Sequence, residues 1–76
     1  MSQKLAKAVA QGKVVAHNPH AGSVVIYVPL PDGGERRVLI PAHEDMELVP
    51  KHTEPHLIRR SRNLQKLLYR GAVRIR

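Results

Sequence analysis

From Lys13 to Pro50 the apolar residues fall in short runs separated by prolines, glycines and charged pairs, a rhythm that predicts short β-strands. Lys13 to His17 is the first candidate strand, and Asn18-Pro19-His20-Ala21-Gly22 has the composition of a turn. Ser23 to Leu30 is the strongest strand, with Val24, Val25, Ile26, Tyr27 and Val28 in succession. Pro31-Asp32-Gly33-Gly34 reads as a hairpin turn, and Glu35 to Pro41 returns as its partner through Val38, Leu39 and Ile40. Ala42 to Asp45 is a polar connection to a fourth strand, Met46 to Val49. Pro29, Pro31, Pro41 and Pro50 mark the strand ends, as expected of short strands with protected edges.

Taking Asp32-Gly33 as a two-residue loop sets a register in which Val28 faces Arg37, Tyr27 faces Val38, Ile26 faces Leu39 and Val25 faces Ile40. Val24, Ile26 and Leu39 then share one face, and Val25, Tyr27, Val38 and Ile40 the other. With both faces apolar, the base of the hairpin is expected to be covered twice. Arg36 and Arg37 project on opposite faces at its tip.

Helical spacing flanks this body. Leu5, Ala8 and Val9 lie on one face of a short helix over 2–11, ended by Gly12. After a linker at 51–55, Pro55 suits the first turn of a longer helix running from His56 to Arg70. Leu57, Leu64 and Leu68 form its apolar stripe beside Ile58 and Leu67, with Arg59, Arg62, Lys66 and Arg70 opposite. Tyr69 falls nearer the apolar side. Gly71 ends the helix, and Ala72 to Arg76 alternates as a terminal strand, Val73 and Ile75 on one side and Arg74 and Arg76 on the other. The expected organisation is an N-terminal helix at 1–12, a β-body at 13–50, the linker, and a basic helix plus strand at 56–76. The fold class is α+β, mainly β: a small SH3-like or OB-like barrel, or a four-stranded antiparallel sheet, carrying the two helices.

Composition adds two constraints. The chain has 76 residues, no cysteine, and Tyr27 and Tyr69 as its only aromatics. Its core is therefore small, aliphatic and without a cross-link, which favours support from a partner surface. Charge is divided sharply. Lys4, Lys7, Lys13, Arg36, Arg37 and Lys51 are offset by Asp32, Glu35, Glu44, Asp45, Glu47 and Glu54. The net +7 comes from Arg59, Arg60, Arg62, Lys66, Arg70, Arg74 and Arg76, in a stretch from Pro55 onward that has no carboxylate. A neutral body with a basic arm points to a polyanion or an acidic protein face.

Candidate chemistry changes this picture little. Ser2, Ser23, Thr53 and Ser61 sit in no activated-nucleophile motif, no phosphate-binding loop is present, and Gly33-Gly34 is accounted for by the hairpin. An enzyme is not expected. His17 and His20 flank one proline turn and His52 and His56 flank Pro55, but their spacing matches no metal-ligand motif, so neither metal nor cofactor is expected. No apolar run approaches a membrane span and the start lacks a signal-peptide core, so a reducing, intracellular setting is expected rather than a secretory route.

The basic arm admits several readings. As a protein-docking element, Leu57, Leu64, Leu68, Val73 and Ile75 are the anchors, and Arg59, Arg62, Lys66, Arg70, Arg74 and Arg76 meet acidic neighbours. As a nucleic-acid element the same cations contact phosphates, although no stacking aromatic accompanies them. As a membrane-surface helix it lacks interfacial Trp or Phe. As a purely internal element it packs its leucines on its own body and leaves its arginines solvated.

Val49-Pro50, Arg59-Arg60 and Gly71-Ala72-Val73 follow a pattern that resembles short proteins encoded among the tail genes of Mu-like tailed bacteriophages. The resemblance covers about a third of the chain and implies a small virion protein; it assigns no functional residue. The expected function is thus a non-enzymatic structural or assembly subunit of a large, symmetric complex such as a phage tail, neck or capsid. The alternative is a small nucleic-acid-binding module, for instance one associated with ribosomes.

Overall fold

A computed structural model describes residues 3–76. Its elements are α1 (Gln3–Ala10), β1 (Val14–His17), β2 (Val24–Pro29), β3 (Glu35–Ile40), β4 (Asp45–Val49), α2 (Pro55–Ile58), α3 (Arg62–Tyr69) and β5 (Arg74–Ile75). The expected helix start at Ser2 lies outside the described residues.

The strands form two antiparallel sheets: β4-β1-β5, with β1 in the centre, and the β2-β3 hairpin. The two sheets share no strand, so they close no barrel and do not make the single four-stranded sheet. The architecture is a small α+β fold, mainly of strands. Its core is one cluster in which Leu5 of α1, Val14 and Ala16 of β1, Ile26 and Val28 of β2, Val38 and Ile40 of β3, Leu48 and Val49 of β4, Ile58, Leu64, Val73 and Ile75 meet.

Two local devices shape this core. Leu48 is an extra residue between the pairs Val14–Val49 and Val15–Glu47. This bulge lets consecutive residues, Leu48 and Val49, both turn inward. Asn18 is fully buried in the β1–β2 turn. Its side-chain amide reaches the carbonyls of Gly22 at 2.8 Å, Ile40 at 3.1 Å and Pro41 at 3.2 Å, while its oxygen accepts from His20 N at 3.0 Å. Two amide hydrogens serve three carbonyls, so one bond is shared.

The hairpin register is one residue away from the expected one. Tyr27 pairs with Arg37, Ile26 with Val38, Val25 with Leu39 and Val24 with Ile40. The turn explains the shift. Gly33 N donates to Leu30 O at 3.1 Å and Leu30 N to Gly34 O at 2.8 Å, which makes Pro31-Asp32-Gly33 a three-residue loop. Pro31 and Asp32 occupy the centre of a tight turn, and Gly33 follows at φ 91°, the left-handed position such loops demand. The corrected register sorts the faces: Ile26, Val28, Val38 and Ile40 point into the core, and Tyr27 and Leu39 point out. The hairpin is covered once, not twice.

The expected long helix is two short ones. Ser61 is extended and caps α3, accepting from Leu64 N at 3.1 Å. Its own hydroxyl donates to Tyr27 O at 2.9 Å. The chain therefore bends at Ser61 and brings α3 across β2. Gly71 ends α3 with Ala72 N on Leu67 O at 2.9 Å and Gly71 N on Leu68 O at 3.2 Å, the paired bonds of a left-handed C-cap. The segment at 51–54 is held rather than loose: His52 N and Thr53 N both donate to Leu48 O, and the buried Thr53 hydroxyl donates to Pro29 O.

Candidate functional site

The bend at Ser61 and the terminal strand decide which side chains are left for a partner. β5 pairs with β1 through Ala16–Ile75 and His17–Arg74, and Arg76 N donates to Val15 O at 2.9 Å. Val73 and Ile75 are buried by this pairing. Leu57 and Leu64 are likewise buried in the chain's own core. These four expected anchors are packed inside the chain itself and are not displayed on its surface. Leu68 is half-buried, beside Lys4, Arg74 and Ile75 in a shallow depression of about 370 Å³.

The cations divide too. Arg76 Nε donates to Asp45 Oδ1 at 3.2 Å, so Arg76 is engaged by its own sheet. The same oxygen lies 2.6 Å from His17 Nδ1. With Asp45 ionised, Nδ1–H donates to it, so Nδ1 has no lone pair left for the Arg76 guanidinium 3.3 Å away. The bond from His17, then the one from Arg76, holds the Asp45 carboxyl below its ordinary value. Burial, together with Arg36 and Lys51, pushes the His52 imidazole down.

Arg59, Arg62, Lys66, Arg70 and Arg74 are exposed, and none forms an ion pair among the described residues. Three of them converge on α3. Arg62, Gln65, Lys66, Tyr69 and Arg70 line one open depression of about 490 Å³. Their spacing of three and four residues puts them on a single helical face. Tyr69 stands among them at 94% exposure. The expectation that it lies toward the apolar side is corrected: with Leu64 at the centre of the buried face, Tyr69 is five residues on, well round the helix.

A second surface is the outer face of the hairpin. Tyr27 is 42% and Leu39 45% exposed, with Val25 half-buried beside them and Arg37 opposite Tyr27. The β2 edge is closed at Tyr27, whose N–H donates to Asn63 Oδ1 at 2.9 Å and whose carbonyl accepts from Ser61. The β3 edge has no neighbouring strand among the described residues. This patch was hidden by the misplaced register; alternation within Val38-Leu39-Ile40 was the available signal.

Among the described residues, no cluster of His, Asp and Glu is large enough to hold a metal ion, and no helix is long and apolar enough to cross a membrane. No protein-family model, curated protein or solved structure matches the chain.

Proposed function

We propose that the protein is a non-enzymatic assembly subunit that docks onto another protein through the outer face of the β2-β3 hairpin and the open edge of β3. The observation that carries this reading is the pairing of exposed Tyr27 and Leu39 with an uncovered strand edge. Contiguous apolar surface beside unpaired backbone groups is a template for an added strand. A two-stranded ladder is also marginal by itself and gains from a third strand. Arg36 and Arg37 on β3 are exposed and have no carboxylate partner among the described residues, which selects an acidic segment and disfavours self-pairing of two copies.

Short antiparallel strands in two packed sheets suit the SH3-like or OB-like plan, with the added strand extending the incomplete side. The resemblance of Val49-Pro50, Arg59-Arg60 and Gly71-Ala72-Val73 to small tail-gene products of Mu-like phages supports a virion, assembled in the host cytoplasm, as the complex in this reading.

A photo-crosslinking residue placed at Leu39 in the particle fraction of the natural source tests this directly. Crosslinks to one structural subunit are expected from Leu39 and not from Asp32 at the hairpin tip. The double variant Tyr27→Ser/Leu39→Ser is expected to melt like the parent, because both side chains are exposed, and to be lost from the particle. Undiminished incorporation of the double variant overturns the proposal.

A further inference from the structure

We infer that the exposed face of α3 is a binding site for single-stranded nucleic acid, with Tyr69 as the base-stacking platform and Arg62, Lys66 and Arg70 as phosphate contacts. This site is separate from the hairpin face and does not rest on the protein-docking reading.

Tyr69 is the first argument. It is 94% exposed, and among the described residues no hydrogen bond engages its hydroxyl. A large ring held in water stabilises neither helix nor core, and it leaves a π-face free for a base. The second argument is its surroundings. Arg62, Lys66 and Arg70 line the same open depression, without ion-pair partners among the described residues, in a segment with no carboxylate from Pro55 onward. The third is the position of Arg62. It is the first residue of α3, at the positive end of the helix dipole, and no acidic residue occupies that turn. A cation there is unfavourable for the helix itself, and a phosphate beside it relieves the repulsion.

Geometry selects a single strand. Arg62 to Arg70 spans roughly 12 Å along the helix axis. That length allows a short run of phosphates to be tracked, and a ring projecting between the cations needs an unstacked base, which a duplex does not offer. Gln65 Nε2 donates to Arg59 O at 2.7 Å, which commits one of its amide hydrogens within the chain, and stacking on a ring does not distinguish bases. The site therefore binds with little sequence preference.

Fluorescence anisotropy of the full chain with labelled oligo-dT, oligo-rU and a duplex of equal length, across a salt series, tests the assignment. Single strands are expected to bind at low salt, with log K falling against log salt with a slope of about −2, the value for three released counterions. Tyr69→Ala is expected to weaken binding roughly tenfold and Tyr69→Phe to restore it, since stacking needs the ring and not the hydroxyl. Lys66→Gln is expected to make the slope shallower by about 0.7. The exposure of both positions keeps the variants folded, as unchanged melting curves would verify. Binding of either oligonucleotide supports the site, and the tighter of the two names the preferred sugar. Three results overturn it: no binding of either oligonucleotide at low salt, Tyr69→Ala binding like the parent, or equal affinity for the duplex or for an acidic peptide of the same charge.

Discussion

The hydroxyl of Ser61 donates to the carbonyl of Tyr27 at 2.9 Å, tying the bend between α2 and α3 to the edge of β2. The same oxygen accepts from Leu64 N, so one buried side chain caps a helix and closes a strand edge. Ser61→Ala removes both bonds and leaves the part-buried Tyr27 carbonyl and the Leu64 amide without them. The expected loss is about 1–2 kcal/mol, the usual scale for a helix N-cap, read as a lower urea midpoint. The loss should be accompanied by faster amide exchange at Leu64, because that N–H loses its acceptor.

Asn18 does comparable work on the opposite side of the fold. Its amide joins Gly22 in its own turn to Ile40 and Pro41 at the end of β3. Asn18→Ala would leave these carbonyls, that of Ile40 buried and those of Gly22 and Pro41 part-buried, short of donors. We expect a loss of roughly 2–4 kcal/mol, from the desolvation cost of orphaned groups plus a small cavity. Asn18→Asp should be at least as harmful, because a carboxylate has no hydrogens to offer them. Thermal melts of the two variants check both the size and the order.

What could be read from the sequence follows from where the signals lie. Alternation and proline or glycine punctuation located all five strands, and Gly71 marked the end of α3. Register failed because Asp32-Gly33 and Pro31-Asp32-Gly33 are both good turns, and only the backbone distinguishes two loop residues from three. That single step exchanged the faces of Val38 and Leu39 and so concealed the exposed patch. The break at Ser61 carried no Gly or Pro; a serine three residues before Leu64 was its only mark, and its second bond, to Tyr27, is long-range. The terminal strand was legible as a strand, whereas its choice of β1 as partner was not, because pairing depends on which edge is free.

The Asp45 carboxylate ties the end of the chain to the centre of its sheet, and this has a pH consequence. Its pKa is held below the ordinary 3.8 by the bond from His17 and then by Arg76. A carboxyl lowered in the folded chain contributes stability that is fully present above its ordinary value and is lost as pH falls through the folded value. We therefore expect the protection factor at Arg76, whose N–H donates to Val15 O, to drop as pH falls below ~4, the ordinary carboxylate range. Asp45→Asn should lower it at neutral pH and flatten the dependence. Amide exchange followed by NMR across pH 2–6 reads both outcomes.

Leu64 and Lys66 separate packing from charge on one short helix. Leu64 is fully buried and Lys66 exposed, two residues apart on α3. Leu64→Asp places a carboxylate in the aliphatic core with no cation beside it and should abolish cooperative unfolding. Lys66→Asp should leave the melting midpoint within a few degrees of the parent, since it alters only the solvated face. Circular dichroism with thermal melting distinguishes the two.

The hairpin turn offers the cleanest test of backbone strain, because nothing else competes there. Gly33 sits at φ 91°, and a side chain added to it would meet no heavy atom within 4 Å. Any cost of substitution is thus conformational and not steric contact with neighbours. Asn tolerates positive φ better than Ala, and a β-branched residue tolerates it least. The expected order of destabilisation is Gly33→Val, then Gly33→Ala, then Gly33→Asn, with Ala costing on the order of 1 kcal/mol and Val more. Urea midpoints of the three variants give the order directly. Equal midpoints would mean that Pro31 and Asp32 hold the turn without Gly33, and the three-residue loop that sets the register, and with it the outward face of Tyr27 and Leu39, would have to be abandoned.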